Sequence, residues 1–215
     1  MRFVAISDTH GWHSRLEVPD GDVLLHSGDL CNRGALAEVE SFDRFLAGLP
    51  HTHKIVIAGN HDFCFERQPK EAQARLTHCT YLQDEAVVIE GIKIYGSPWQ
   101  PRFCDWAFNL ARGPALAEKW AMIPEDTDIL LTHGPPRGCL DRTHDGREVG
   151  CEDLRQRLQG LAVKHHIFGH IHEAYGHRLV GQTNHYNASV LNHFRREWHP
   201  AWVFDFERPA LSRTD

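Results

Sequence analysis

Long apolar runs are missing from this 215-residue chain. Stretches such as Val23-Leu24-Leu25 and Ile129-Leu130-Leu131 fall far short of the ~20 residues that cross a bilayer, so no membrane partner is expected. No Lys/Arg block exceeds three residues, and 23 basic against 29 acidic side chains leave a formal charge of −6. That balance lacks the footprint of a duplex nucleic-acid binder. Cys31, Cys64, Cys79, Cys104, Cys139 and Cys151 form no Cys-x-x-Cys pair, which excludes zinc-ribbon and thioredoxin signatures and predicts six free thiols in a reducing compartment. Residues Met1 to Ser7 run straight into a strand-like segment with no room for a signal peptide's apolar region, so a cytoplasmic location is expected. Repeats, low-complexity tracts and charge-block linkers are absent too, and residues 1–215 are expected to form a single domain.

What is present is an ordinary globular composition, 41% hydrophobic and 24% charged, which excludes a disordered chain. Short β-branched apolar runs alternate with amphipathic stretches, the pattern of an α/β domain. Strands are predicted at Arg2 to Ser7, Asp22 to Ser27, Lys54 to Ala58, Val87 to Glu90, Lys93 to Gly96, Asp128 to Thr132 and His165 to Phe168, with two more at Thr183 to Asn187 and Trp202 to Phe206. Glu90-Gly91 reads as a hairpin turn. Helices are predicted at Ala35 to Ala47, Pro69 to Leu76, Gly113 to Met122 and Glu152 to Leu161. Ser97 to Asn109 and Gly134 to Gly150 show no period and read as long ordered loops, which in compact domains tend to be functional.

Histidine is abundant, with 17 residues, and its placement is informative. Five predicted strands end in or within two residues of a metal-ligand side chain. They deliver Asp8 and His10, Asp29, Asn60-His61-Asp62, His133, and His170 with His172. In α/β sheets such strand ends converge on one crevice. Carboxylate, amide and imidazole together suit first-row divalent ions rather than a thiolate site. Asp8, His10, Asp29, Asn60, His133, His170 and His172 are too many ligands for one ion. Shared between two ions ~3.5–4 Å apart, with one carboxylate bridging, they leave each ion room for water, as in a dinuclear hydrolytic site.

In order, Asp8-Thr9-His10, Gly28-Asp29, Gly59-Asn60-His61-Asp62, His133 and Gly169-His170-Ile171-His172 reproduce the blocks D-x-H, G-D, G-N-H-[D/E], H and G-H-x-H. The sequence therefore resembles the calcineurin-like metallophosphoesterases. Ile94-Tyr95-Gly96-Ser97-Pro98-Trp99, Thr132-His133-Gly134-Pro135-Pro136 and Phe168-Gly169-His170-Ile171-His172-Glu173 look like its small metallophosphoesterase-domain (MPPED-type) subgroup. Gly28-Asp29 through Arg33-Gly34 also matches the G-D-x-x-x-R-G spacing of the protein-phosphatase branch. The resemblance implies a four-layer α-β-β-α sandwich of two mixed β-sheets flanked by helices. It also implies hydrolysis of phosphodiesters, cyclic nucleotides included, through a hydroxide between two metals. Carried over residue by residue, it assigns Asp8, His10 and His172 to one ion, Asn60, His133 and His170 to the other, and Asp29 as the bridge. His61 would contact the phosphate or protonate the leaving oxygen, oriented by Asp62.

Alternatives stay open at this level. The ions are Mn, Fe, Zn, Co or Ni. The substrate is a small phosphoester, either a diester or a monoester of a nucleotide, sugar or phosphoprotein; a fold retained only as a partner-binding scaffold is the rival of another class. Trp99, Phe103 and Trp106 are either core aromatics or a stacking platform. Asp62 is either the partner of His61 or a helix-capping acid. The chain is a monomer or a homodimer.

Overall fold

A strand that is apolar along its whole length needs cover on both faces. The computed structural model, which describes residues 1–192 and 197–207, supplies that cover in layers. Chain order runs β1 (Arg2–Ile6), β2 (Val23–Ser27), α1 (Leu36–Ala47), β3 (His53–Ile57), α2 (Phe63–Arg67), α3 (Pro69–Gln73), β4 (Thr80–Tyr81), β5 (Glu85–Ile89) and β6 (Ile92–Ser97). It continues with β7 (Gln100–Pro101), β8 (Asn109–Leu110), α4 (Pro114–Ala121), β9 (Ile129–Thr132), α5 (Glu152–Leu158), β10 (His165–Phe168), β11 (Gly176–Val180), β12 (Thr183–Asn187) and β13 (Trp202–Asp205).

Two mixed sheets result, ordered β13-β1-β2-β3-β4 and β11-β12-β10-β9-β6-β5. Alternate residues of each strand serve opposite faces. Phe3, Ala5, Leu25 and Ile57 of the first sheet meet Ile94, Leu131 and Ile167 of the second in the central core. Their neighbours Val4, Ile6, Leu24 and Val56 turn outward to Val39, Phe42 and Leu46, the apolar stripe of α1. On the other side Tyr95 and Leu130 pack on Leu116 and Trp120 of α4 and Leu154 of α5. The chain is thus a four-layer α-β-β-α sandwich.

β1, β2 and β3 are parallel, as are β6, β9 and β10. Parallel pairing aligns carboxyl ends at one edge of each sheet. A parallel bridge between Ser7 and Ser189, with Val190 N–H donating to Ser7 O at 3.0 Å, joins the two sheets just beyond β1. The six cysteines are free.

Local chemistry explains several element ends. Ala35 has no side chain to cap α1, and the Glu38 carboxylate instead accepts the N–H groups of Asn32, Arg33 and Ala35. Glu90 and Gly91, both at positive φ, close the β5–β6 hairpin. Where the structure departs from the sequence reading, length is the usual reason. α3 stops at Gln73 and α5 at Leu158, short of Leu76 and Leu161. The Ser97 to Asn109 stretch holds β7 and the first residue of β8, two-residue strands that pair with each other and are too short to show a period. β11, missed from sequence, is an exposed edge strand with no buried face to pattern it. No helix among the described residues is long and apolar enough to cross a membrane.

Candidate metal centre

The loops leaving β1, β2, β3, β9 and β10 carry the expected side chains to one place. Several sit in a conformation that L-residues avoid: Asp8 (φ 58°), His10 (φ 45°), Asp29 (φ 57°) and His170 (φ 68°) are all left-handed. Such backbone persists only where its surroundings enforce it, and it concentrates at functional sites. Here the enforcement is mutual. Asp8 N–H donates to Gly28 O at 3.0 Å, His10 N–H to Asp29 O at 2.9 Å, and Gly169 N–H to His133 O at 2.9 Å. Gly59 and Gly169 permit the approach, since a Cβ would lie 2.4 Å from Asp29 Oδ1 at the first and 1.9 Å from Asp8 Oδ2 at the second.

Three groups of candidate ligands form, each with its donor atoms within 4.8 Å of one another: Asp8, His10 and His172; His10, Asp29 and His61; Asp8, Asp29 and His133. His172 Nε2 lies 3.4 Å from Asp8 Oδ1 and 3.2 Å from His10 Nε2. Asp29 Oδ2 is 3.7 Å from His10 Nε2, and its Oδ1 is 3.6 Å from His133 Nε2. Asn60 Oδ1 lies 2.8 Å from His133 Nε2. Donor atoms about 2.0–2.2 Å from a shared ion stand roughly 3–3.6 Å apart, so the spacing and the donor set fit a divalent metal. His170, which none of the three groups includes, has its ring 5.0 Å from that of His133.

Protons are placed by the atoms behind the rings. His133 Nδ1 lies 2.9 Å from Ser27 O, and His172 Nδ1 2.7 Å from Leu191 O. A carbonyl only accepts, so each Nδ1 carries the hydrogen and each Nε2 turns a lone pair to the crevice, the usual orientation of a metal-binding imidazole. Asp8 accepts from Ser189 Oγ at 2.7 Å and from His170 N–H. Burial pushes its carboxyl up, but attraction to the rings of His172, His133 and His10, charged at the acid pH where Asp8 titrates, outweighs burial and holds it well below the usual range. Burial also lowers His133, and with His133 beside it lowers His170 to about 3, so both rings are neutral near pH 7.

The expected pairing of Asp62 with His61 is corrected by the structure. Asp62 is fully buried, and its carboxylate accepts four backbone N–H groups: Gly59 at 2.7 Å, Cys31 at 2.8 Å, Asp29 at 2.9 Å and Leu30 at 3.3 Å. Burial raises its pKa to about 7 against those donors. A carboxylate inside a ring of loop amides is drawn to them rather than to a neighbouring side chain. His61 is seated by a residue the sequence did not single out, its Nδ1 lying 2.8 Å from Asn32 O. Its own N–H donates to Asp29 Oδ1 at 2.7 Å.

The three loop aromatics part company. Trp99 donates Nε1–H to Asp84 and lies under Lys119, a packed role. Phe103 is 60% exposed. Trp106 stands 4.2 Å from the His61 ring and 5.9 Å from Phe63, forming a wall beside the crevice. Arg33 is exposed, with its backbone N–H on Glu38.

Two sheets that gather carboxylates, imidazoles and an amide at the carboxyl ends of five strands define a metal-ligating α/β sandwich. The chain belongs to the calcineurin-like phosphoesterase family, whose sequence model matches residues 1–174. Human "Metallophosphoesterase domain-containing protein 1" is 42% identical over 236 residues, spanning 98% of this chain and 72% of that protein. A UPF0046 protein of Caenorhabditis elegans is 38% identical over 231 residues, spanning 97% of this chain and 82% of that one. The crystal structure of TT1561 of Thermus thermophilus shares the fold, with a TM-score of 0.61 at 15% identity over 87% of this chain and 88% of that one.

Proposed function

We propose that the chain hydrolyses phosphodiesters at a centre of two divalent ions bridged by Asp29. The observation that carries this reading is that the two oxygens of Asp29 address different ligand groups, Oδ2 toward His10 and Oδ1 toward His133. Asp8, His10 and His172 are assigned to one ion, and Asn60, His133 and His170 to the other. Bound there, two divalent ions would supply an activated water and would neutralise charge on the phosphoryl oxygens. Mn, Fe, Zn, Co and Ni all accept this donor set.

The remaining work falls to the chain. Only Asp8 and Asp29 add negative charge to the proposed ligand set, and neutral Asn60 in place of a third carboxylate preserves a positive crevice in a protein of net −6. His61, its Nδ1–H held on the Asn32 carbonyl, uses Nε2 to carry a proton to the leaving oxygen. Trp106 and Phe63 offer a surface on which a flat ester arm stacks. That wall suits a diester, whose second arm needs an apolar rest, and makes cyclic nucleotides reasonable members of a substrate screen.

The test is the initial rate on bis-p-nitrophenyl phosphate beside p-nitrophenyl phosphate, with chelator-stripped protein reloaded with Mn²⁺. Metal-dependent turnover dominated by the diester is expected. Dominance of the monoester would reassign the chain as a phosphatase, and silence on both substrates in the metal-loaded protein would favour a non-catalytic scaffold.

A further inference from the structure

Between α5, the β11–β12 hairpin and residues 136–139 lies a cavity of about 570 Å³, none of whose lining residues is a candidate metal ligand or part of the His61–Trp106 wall. Small-molecule sites span ~300–1,000 Å³. Leu158, Leu161, Val163 and Val180 make much of the lining apolar. Arg155 and Arg178 line it as well, and among the described residues neither forms an ion pair with a carboxylate. Neighbouring Arg137 differs, being held by Glu148 and Glu152. Solvated arginines alone would mark nothing. What distinguishes this cavity is a buried polar ring in its wall.

That ring is His185, 5% exposed, and a chain of hydrogen bonds fixes its proton. Thr132 Oγ1–H donates to Gly134 O at 2.8 Å, so the same oxygen accepts from His166 Nε2–H, also at 2.8 Å. His166 Nδ1 is then a lone pair and accepts from His185 Nδ1–H at 3.2 Å. Burial keeps both rings neutral near pH 7, His166 well below its ordinary value and His185 at about 4. His185 Nε2 is left as an acceptor. The cavity thus combines an apolar wall, two guanidiniums without a carboxylate partner among the described residues, and one acceptor nitrogen on a largely buried ring.

We propose that this cavity binds a small amphipathic anion, its acid group between Arg155 and Arg178, its apolar body against Leu158, Leu161 and Val163, and one N–H or O–H directed at His185 Nε2. A cation is repelled by the guanidiniums, and a neutral ligand leaves them without a counter-charge. The site is separate from the metal centre and does not depend on the reaction proposed there.

The probe is 6-anilinonaphthalene-2-sulfonate, whose sulfonate, fused rings and amine N–H match the three features, titrated by fluorescence into the metal-loaded intact chain. One saturable site is expected, with nuclear Overhauser contacts from the probe's rings to the methyls of Leu158, Leu161 and Val163. The double variant Arg155→Ala/Arg178→Ala should bind about tenfold more weakly or worse, the loss expected when a charge-assisted contact worth ~1.4 kcal/mol or more is removed. A control pair on the opposite helical layer, Arg67→Ala/Lys70→Ala, should bind as wild type. The N-methylated probe, lacking the N–H, should bind severalfold more weakly. Equal affinity of wild type and Arg155→Ala/Arg178→Ala, or contacts to methyls elsewhere, would overturn the site; equal affinity of the two probes would overturn the role of His185. Diester turnover is expected to be unchanged in the double arginine variant, and its loss would make the cavity a structural support of the metal centre instead.

Discussion

At the scale of single residues the adjacent pair His61 and Asp62 divides its labour along a line the sequence does not draw. Asp62 holds the amides of Gly59, Asp29, Leu30 and Cys31, so it positions Asp29 rather than His61. Replacing it with Asn turns one acceptor oxygen into a donor facing donors. Asp62→Asn is expected to cost about 3 kcal/mol in urea denaturation and to lower bound metal measured by mass spectrometry. His61→Ala, by contrast, should keep its metal and lose ~10²–10⁴ in turnover, the range for a missing general acid. A variant Asp62→Asn with full metal content and wild-type stability would return Asp62 to the role read from sequence. The ligand types were legible because each follows a strand end, most of them in a short fixed block of two to four residues. Their supports were not: Asn32 O, Ser27 O and Leu191 O act through backbone carbonyls, which every residue possesses. Trp106 was legible as an aromatic in a loop, but its choice over Trp99 rests on which indole had a polar partner elsewhere.

At the scale of elements, legibility follows burial on two faces. β1, β2, β9 and β10 are covered by a sheet on one side and helices on the other, and their apolar runs stand out. α2 and β4 are short pieces fixed by tertiary contacts. The connection between α3 and β4 is held by a clasp from α1: Asp43, 7% exposed, accepts from Thr77 N–H and Oγ1–H at 2.8 Å and from His78 N–H at 2.9 Å, with His78 Nδ1 also 2.9 Å away. Burial raises this carboxyl, but the bonds from His78 and Thr77 outweigh it and hold the pKa below its ordinary 3.8. A depressed carboxylate pKa stabilises the fold above the unfolded value, and that contribution disappears as pH falls through the folded value. Asp43→Asn is therefore expected to lose about 2 kcal/mol at pH 7, while the gap to wild type narrows as the pH is lowered from ~4 toward 2. Parallel denaturation curves at the two ends of that window check it. A gap independent of pH would mean that the clasp works through packing, not charge.

On the scale of the whole molecule, the two sheets are held by the apolar layer between them and by the seam at Ser7 and Ser189. The ligand groups cross that seam. Asp8, His10 and Asp29 come from loops of the first sheet, whereas His133 and His172 come from the second. An ion shared by Asp8, His10 and His172 binds only when the sheets are docked, so its binding energy adds to folding stability by mass action. At a metal concentration near one hundred times Kd the increment is about 2.7 kcal/mol. For a chain of this length that corresponds to a rise in Tm of roughly 5–10 °C. Chelator-stripped and Mn²⁺-reloaded protein should differ by this much in calorimetry, with the difference growing logarithmically with free metal. Asp29→Asn should remove most of the increment while leaving the Tm of the stripped protein little changed, because the apolar layer between the sheets is untouched. Identical transitions with and without metal in the wild type would mean that the docked sheets present the ligands without gaining from the ion, and would count against the two-ion centre itself.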